Sequence, residues 1–296
     1  KMLVRSPELA YPKHVSEDVD VLAQALSHAG HIFVFLDYSG TLVPTGREGG
    51  APGQRVLRRV AQLAAVPGFS VFVIGEQTVR ELEELVAIDE VGYIGQRGCE
   101  IRDPGGPTFC PVAPGEVDTL IGHLELEIHR QLDSCPGVLV ENRGFALAIY
   151  YEDGGDRSCG IPRTVAGLVR RLDLQGRLEV LYGRGVIEVC LSGWHKGDAV
   201  GYILGRASAD EALAIYIGDD VTDEEAFEAI AGWADGADGE LPWYMAGDED
   251  EADAASALTI LVTGEPRPTA ASLFVRNPQE VYEFLSSLAA IASTLL

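Results

Sequence analysis

Apolar residues in this chain gather in short unbroken runs separated by amphipathic stretches. The runs at Ile32–Asp37, Ser70–Ile74, Val91–Ile94 and Leu213–Ile217 lack the apolar–polar alternation of a half-exposed strand, so they predict strands buried on both faces. Between and around them the apolar positions recur with helical spacing, predicting helices at Gln54–Ala65, Val79–Val86 and Asp223–Ala231. Ser16-Glu-Asp is a start signal for a further helix reaching about His28. Strands that alternate with helices predict an α/β protein, with a parallel sheet covered by helices on both faces.

The middle of the chain breaks this rhythm. After the Pro/Gly-rich Asp103-Pro-Gly-Gly-Pro107, a helix is predicted near Glu116–Leu132, followed by Val138–Glu141 and Phe145–Tyr151 as a hairpin around Asn142-Arg-Gly144. A helix at Arg163–Leu172 then precedes Leu178–Leu181 and Val186–Val189, joined through Gly183-Arg-Gly185. The parallel pattern resumes afterwards. The expected organisation is a core made of residues 1–106 and 191–296, with an α/β module of antiparallel character inserted at 107–190.

Composition narrows the partners. With 47% apolar residues among 296, the chain can bury a substantial core. Its formal net charge of −24 argues against nucleic acid or an anionic membrane as partner, because both are polyanions. Lysine occurs only at Lys1, Lys13 and Lys196, which singles out Lys196 inside the folded body. Cys99, Cys110, Cys135, Cys159 and Cys190 form no C-x-x-C pair, and their odd number favours a reduced compartment over a disulfide framework. Neither end carries an apolar signal or spanning segment, so the expectation is a soluble cytoplasmic protein.

The chemistry concentrates at strand ends, where open α/β sheets bind ligands. Asp37 ends the first apolar run and is followed at once by a Gly-Thr turn, which makes it a candidate nucleophile and metal ligand. Gly218-Asp-Asp-Val-Thr-Asp-Glu224 stands at the end of another strand, and its carboxylates Asp219, Asp220 and Asp223 repel one another unless a cation or hydrogen bonds compensate them. Magnesium suits such a group, being a hard cation that prefers oxygen ligands and bridges to phosphate. If Asp37 and Asp219 end adjacent strands, both reach one ion. The plainer reading is that the acidic group only caps a helix. Lys196, in Gly193-Trp-His-Lys-Gly-Asp198, follows a strand and opens a predicted helix, where its charge would offset the repulsion between a phosphate and Asp37.

Taken in order, these segments resemble the haloacid dehalogenase-like superfamily, and more closely the trehalose-6-phosphate phosphatases. The residues that carry the resemblance are Asp37-Tyr-Ser-Gly-Thr-Leu42, Tyr93-Ile-Gly-Gln-Arg-Gly-Cys-Glu100, Val140-Glu-Asn-Arg143, Leu178-Glu-Val-Leu181, Val186-Ile-Glu-Val189, His195-Lys-Gly197, Gly218-Asp-Asp-Val-Thr-Asp-Glu224 and Gly264-Glu-Pro-Arg-Pro-Thr-Ala270. The resemblance implies a Rossmann-like core with an inserted cap and a Mg2+-dependent, two-step phosphatase reaction on a phosphorylated trehalose-like disaccharide. Asp37 would form an aspartyl-phosphate. The metal would be held by Asp37, the carbonyl of Ser39 and Asp219, supported by Asp220 and Asp223, with Lys196 neutralising charge. In the cap, Glu141, Arg143 and Glu188 would grip sugar hydroxyls and phosphate, arginine standing for the family's lysine.

The catalytic segments also depart from the family. Ser39 replaces an aspartate that protonates the leaving oxygen and activates water, a contribution of about 10²–10⁴-fold. Gly75 and Gln77, in Val73-Ile-Gly-Glu-Gln77, replace a phosphate-binding serine and an arginine, a loss of roughly 1.5–3 kcal/mol per charge-assisted hydrogen bond. Glu76 is open to three readings: a relocated acid/base, a partner for a cationic substrate, or a solvated carboxylate. Arg97, in place of the family's histidine, is expected to contact phosphate or sugar. Two functions follow: a working phosphatase of a trehalose-like or pseudo-disaccharide phosphate, or an impaired descendant that binds a sugar phosphate or a partner synthase. A phosphotransferase or mutase, passing the group from the aspartyl-phosphate to another acceptor, is a third.

Overall fold

The structure, a computed structural model, describes residues 9–17, 25–26, 28–45, 50–111, 114–151, 160–183, 185–206, 212–234 and 256–293. In chain order its strands are β1 (Lys13–His14), β2 (His31–Asp37), β3 (Phe69–Ile74), β4 (Gly92–Gly95), β5 (Glu100–Arg102), β6 (Thr108–Phe109), β7 (Leu139–Asn142), β8 (Ala146–Tyr150), β9 (Leu178–Gly183), β10 (Val186–Leu191), β11 (Ala212–Gly218), β12 (Ser256–Val262) and β13 (Leu273–Val275). The helices are α1 (Gln54–Ala64), α2 (Val79–Val86), α3 (Pro114–Leu132), α4 (Ile161–Leu172), α5 (Lys196–Gly205), α6 (Glu224–Ala234) and α7 (Pro278–Ala292). Most of the helix expected at 16–28 lies outside the described residues; Val15–Glu17 forms one 3-10 turn.

The chain divides into two compact units, Lys1–Phe109 with His195–Leu296, and Cys110–Trp194. The first is built on a sheet of order β1-β13-β12-β11-β2-β3-β4-β5-β6, parallel from β1 through β4 and antiparallel in the last two pairings. The β5–β6 hairpin keeps the chain in this sheet past the Pro/Gly-rich turn at 103–107.

Side-chain alternation sends the two halves of β2 to two different cores. Val34 and Leu36, with Ile215 and Ile217 of β11, pack in an aliphatic layer with Val60 and Leu63 of α1, Leu82 of α2 and Leu288 of α7. Phe33 and Phe35 face the other way, with Phe72, Tyr216 and Phe227, against Ala199 and Ile203 of α5 and Ile230 of α6. The aromatic layer stacks: Phe35 lies 5.4 Å from Phe72, and Tyr216 meets Phe227 edge-on at 5.5 Å. The unbroken apolar run is thus explained by burial on both faces. Since β2 has β11 on one side and β3 on the other, its carboxyl end lies where the strand order diverges, the crevice such sheets offer to ligands.

The second unit is an antiparallel sheet of order β7-β8-β10-β9 with α3 and α4. Leu147, Ile149, Ile187 and Val189 are fully buried with Ile121, Leu124 and Val165 of its helices. Cys99, Cys110 and Cys190 take part in no disulfide, whereas Cys135 is disulfide-bonded.

Candidate active site

Asp37 is the last residue of β2 and is 3% exposed. Beyond it the chain turns back tightly: Tyr38 O accepts from Leu42 N (3.0 Å) and Val43 N (3.1 Å), and Gly40 N donates to Val43 O (2.7 Å). Gly40 has φ +90°, and a Cβ on it would overlap the Asp219 carboxylate. Glycine is needed there twice, for the backbone conformation and for the approach of β11's acidic loop. Ser39 is half-buried in this turn and bridges to Val43.

β11 pairs directly with β2, and beyond Gly218 its chain folds into a 3-10 turn, Val221–Asp223. Asp223 organises that turn. Its Oδ2 accepts from the N–H groups of Asp219 and Asp220, both at 3.0 Å, and its Oδ1 accepts from Tyr216 OH and Lys196 Nζ, both at 2.7 Å. Lys196 opens α5 and also donates to Asp37 Oδ1 at 2.6 Å, so one ammonium joins the two carboxylates. Oxygens of Asp37, Asp219 and Asp223 lie within 4.8 Å of one another. Asp220 instead caps the turn through Val221 N.

The group carries more negative than positive charge. Burial and the neighbouring Asp223 and Asp220 push the Asp219 carboxyl up to about 7, against the pull of Lys196. Burial likewise raises Asp37 well above the usual carboxylate range, opposed by Lys196 and aided by Asp223 and Asp219. Burial would lower Lys196, but Asp223 and Asp37 outweigh it and hold the ammonium protonated. Such a cluster of oxygens with unbalanced charge fits a hard divalent cation. Asp223 already accepts about as many hydrogen bonds as its lone pairs allow, which leaves Asp37 and Asp219 as the carboxylates with capacity to bind one.

The remaining candidates fall into two places. Arg97 belongs to the first unit: it and Gln96 have left-handed backbones (φ 57° and 48°), a conformation that is costly for non-glycine residues. Arg97 N donates to Gly75 O at 3.1 Å, which ties this loop to the end of β3. Glu141, Arg143 and Glu188 lie together on the second unit's sheet, where Arg143 donates to Glu141 (3.0 Å), Glu188 (3.5 Å) and the hydroxyl of Tyr150 (2.7 Å). Tyr150 and Tyr216 are not legible as site residues in the sequence. Each sits in an apolar strand where an aromatic residue reads as packing, and the only signal was a hydroxyl in an otherwise hydrocarbon run.

A parallel α/β core with an aspartate at the end of one strand, joined by a lysine to an aspartate in the turn beyond the neighbouring strand and set beside a third carboxylate, defines a haloacid dehalogenase-like protein. The family described as trehalose-phosphatase matches residues 35–237, and the chain belongs to that family. Among its relatives, the "Probable trehalose-phosphate phosphatase 3" of Oryza sativa subsp. japonica is 28% identical over 289 residues, covering 90% of this chain and 72% of the relative. The "Trehalose-phosphate phosphatase" of Mycobacterium ulcerans is 28% identical over 294 residues, covering 96% and 69%. The fold is shared with the C. albicans trehalose-6-phosphate phosphatase C-terminal domain, at TM-score 0.72 and 19% identity over 95% of this chain and 99% of that one. It is also shared with the C-terminal domain of the Candida albicans trehalose synthase regulatory protein, at TM-score 0.68 and 12% identity over 95% and 99%.

Proposed function

We propose that this chain is a Mg2+-dependent phosphomonoesterase acting on trehalose 6-phosphate or a related pseudo-disaccharide phosphate through an aspartyl-phosphate at Asp37. The observation that carries this reading is the buried Asp37 carboxylate, fixed by Lys196 at 2.6 Å and set beside Asp219 at the crevice of the sheet. A protein that only bound its ligand would have no use for a carboxylate so placed. Magnesium bound by Asp37 and Asp219 would neutralise phosphoryl charge there. Asp37 attacks phosphorus in line, the bond from phosphorus to the sugar oxygen breaks, and the sugar oxygen takes a proton. Water then cleaves the aspartyl-phosphate, releasing inorganic phosphate and restoring Asp37. Lys196 holds Asp37 in its attacking position and offsets the charge of the incoming group. In the cap, Arg143 with Glu141, Glu188 and Tyr150 supplies hydrogen-bonding groups suited to sugar hydroxyls.

Ser39 supplies no carboxyl to either proton step, so the reaction is slow unless another group replaces it. The experiment is phosphate release from trehalose 6-phosphate and a panel of sugar phosphates, comparing the native chain with Asp37→Asn and Ser39→Asp. Turnover that Asp37→Asn abolishes supports the reading, and no turnover above that background on any ester sinks it. A gain of about 10²-fold or more in Ser39→Asp identifies an impaired phosphatase. The fold shared with a synthase regulatory protein makes a binding role toward a partner synthase the alternative if turnover is absent.

A further inference from the structure

Among the described residues, Gln77 places a buried polar atom without a hydrogen-bond partner beyond the end of the strand next to the nucleophile's. Gly75 follows β3, the strand next to β2, and its N–H donates to Ile94 O at 3.0 Å. The room that a side chain at 75 would take is filled: a Cβ built on Gly75 would overlap Gln77 Oε1, with Leu82 Cδ2 at 3.1 Å and Tyr38 Cβ at 3.4 Å. The Gln77 carboxamide oxygen therefore fills the space at Gly75, one residue past Ile74, which pairs with Asp37. Its Oε1 is buried and accepts no hydrogen bond among the described residues. Buried amide oxygens are rarely left so, because the lost hydration is not repaid. Its Nε2 is not among the buried unpaired atoms, and Gln77 as a whole is half-buried. With Oε1 turned in against Gly75, the NH2 is the outer end of the amide. The Gln77 backbone is fixed by Gln96 N, which donates to its carbonyl at 2.8 Å.

We propose that Gln77 is a phosphate-binding residue whose Nε2 donates to a phosphoryl oxygen of the ester held against Asp37. The proposal rests on the phosphomonoester reading. A phosphoryl group needs several donors, and Lys196 already spends two of its own on Asp37 and Asp223. A neutral amide adds a donor without disturbing that buried charge balance. Gly75 and Gln77 then act as one unit, the small residue making room for the long one, so their substitution is a relocation of a phosphate contact rather than its loss.

The test is calorimetric binding of inorganic phosphate in the presence of magnesium, with melting curves recorded alongside. Gln77→Met keeps the length and removes the donor, and is expected to raise the phosphate Kd about 10- to 100-fold. It should melt no lower than the parent, because the unpaired oxygen is gone. Gly75 is not in the left-handed region, so serine is allowed there. Gly75→Ser alone should lower the melting temperature by crowding Gln77, whereas Gly75→Ser with Gln77→Ala should recover most of the lost affinity. A phosphate Kd within about twofold of the parent in Gln77→Met overturns the proposal, as does a parent chain that binds no phosphate. If Gln77→Met melts early, Gln77→Glu decides, since a carboxylate there must repel phosphate and an unchanged Kd again overturns it. Phosphate binding that depends on Gln77 in a chain that hydrolyses no ester would sink the phosphatase reading and leave this one standing.

Discussion

At the scale of single residues the site depends on close approaches that only small side chains permit. Gly40→Ala forces a Cβ into the Asp219 carboxylate from a left-handed backbone, so it should cost about 1–3 kcal/mol and displace the acidic loop. A melting curve and a magnesium titration check this. Unchanged stability with unchanged magnesium affinity would show that the two loops do not meet as described. Asp219 carries a complementary prediction. Its charge is opposed by burial, Asp223 and Asp220, so Asp219→Asn should leave the chelated protein as stable as the parent or more so. The parent should gain melting temperature on adding magnesium, in proportion to RT ln(1 + [Mg2+]/Kd), and the variant should not. A variant that keeps the full magnesium shift would remove Asp219 from the metal site.

At the scale of elements, the last helix is tied to the edge strand by one carboxylate. Asn277 caps α7, accepting from Gln279 N (3.0 Å) and Glu280 N (3.1 Å). Glu280 then accepts from Arg276 N (2.7 Å) and Arg276 Nη1 (3.0 Å) and meets His14 Nε2 of β1 at 2.9 Å. Burial, the largest single influence, pushes its carboxyl up, but the hydrogen bonds from His14 and Arg276 together outweigh it and hold it at about 2. In the unfolded chain this carboxyl titrates near 4.5, so the unfolded state binds more protons between these values. The stabilisation is full above the unfolded value and is lost as pH falls through the folded one. Melting curves of Glu280→Gln against the parent should therefore differ at neutral pH and converge towards pH 2; a constant difference would show that packing, not charge, is lost. The same scale sets what was legible. Long strands with two buried faces, such as β2 and β11, are evident from hydrophobicity alone. The two- and three-residue strands β1, β5, β6 and β13 are not, because pairing with a neighbour rather than their own pattern defines them. Lys196 and the aspartates stand out because charge at a strand end is rare, whereas Gln77 is not legible, because only the fold puts its amide in the space at Gly75.

At the scale of the whole molecule, 46 acidic against 22 basic residues leave a formal charge of −24, and the folded chain confines that charge. Self-repulsion of this kind destabilises the compact state and is screened by salt, over about 30 Å at 0.01 M and about 10 Å at 0.1 M ionic strength. Salt also weakens favourable surface pairs such as Arg130–Glu127 and Arg80–Glu84, but these are worth only about 0–1 kcal/mol each. The buried Lys196 bridge, 4% exposed, is little affected. Repulsion should therefore dominate, and the chelated protein at neutral pH should melt higher as sodium chloride rises from about 0.01 M to about 0.3 M. Asp219→Asn changes one charge of many, so it should keep this response while losing the magnesium shift. The two effects separate diffuse screening from a bound ion. A melting temperature that falls with salt would mean that the excess charge is already paired in the fold, and that the acidic cluster at Asp37 is not relieved by screening.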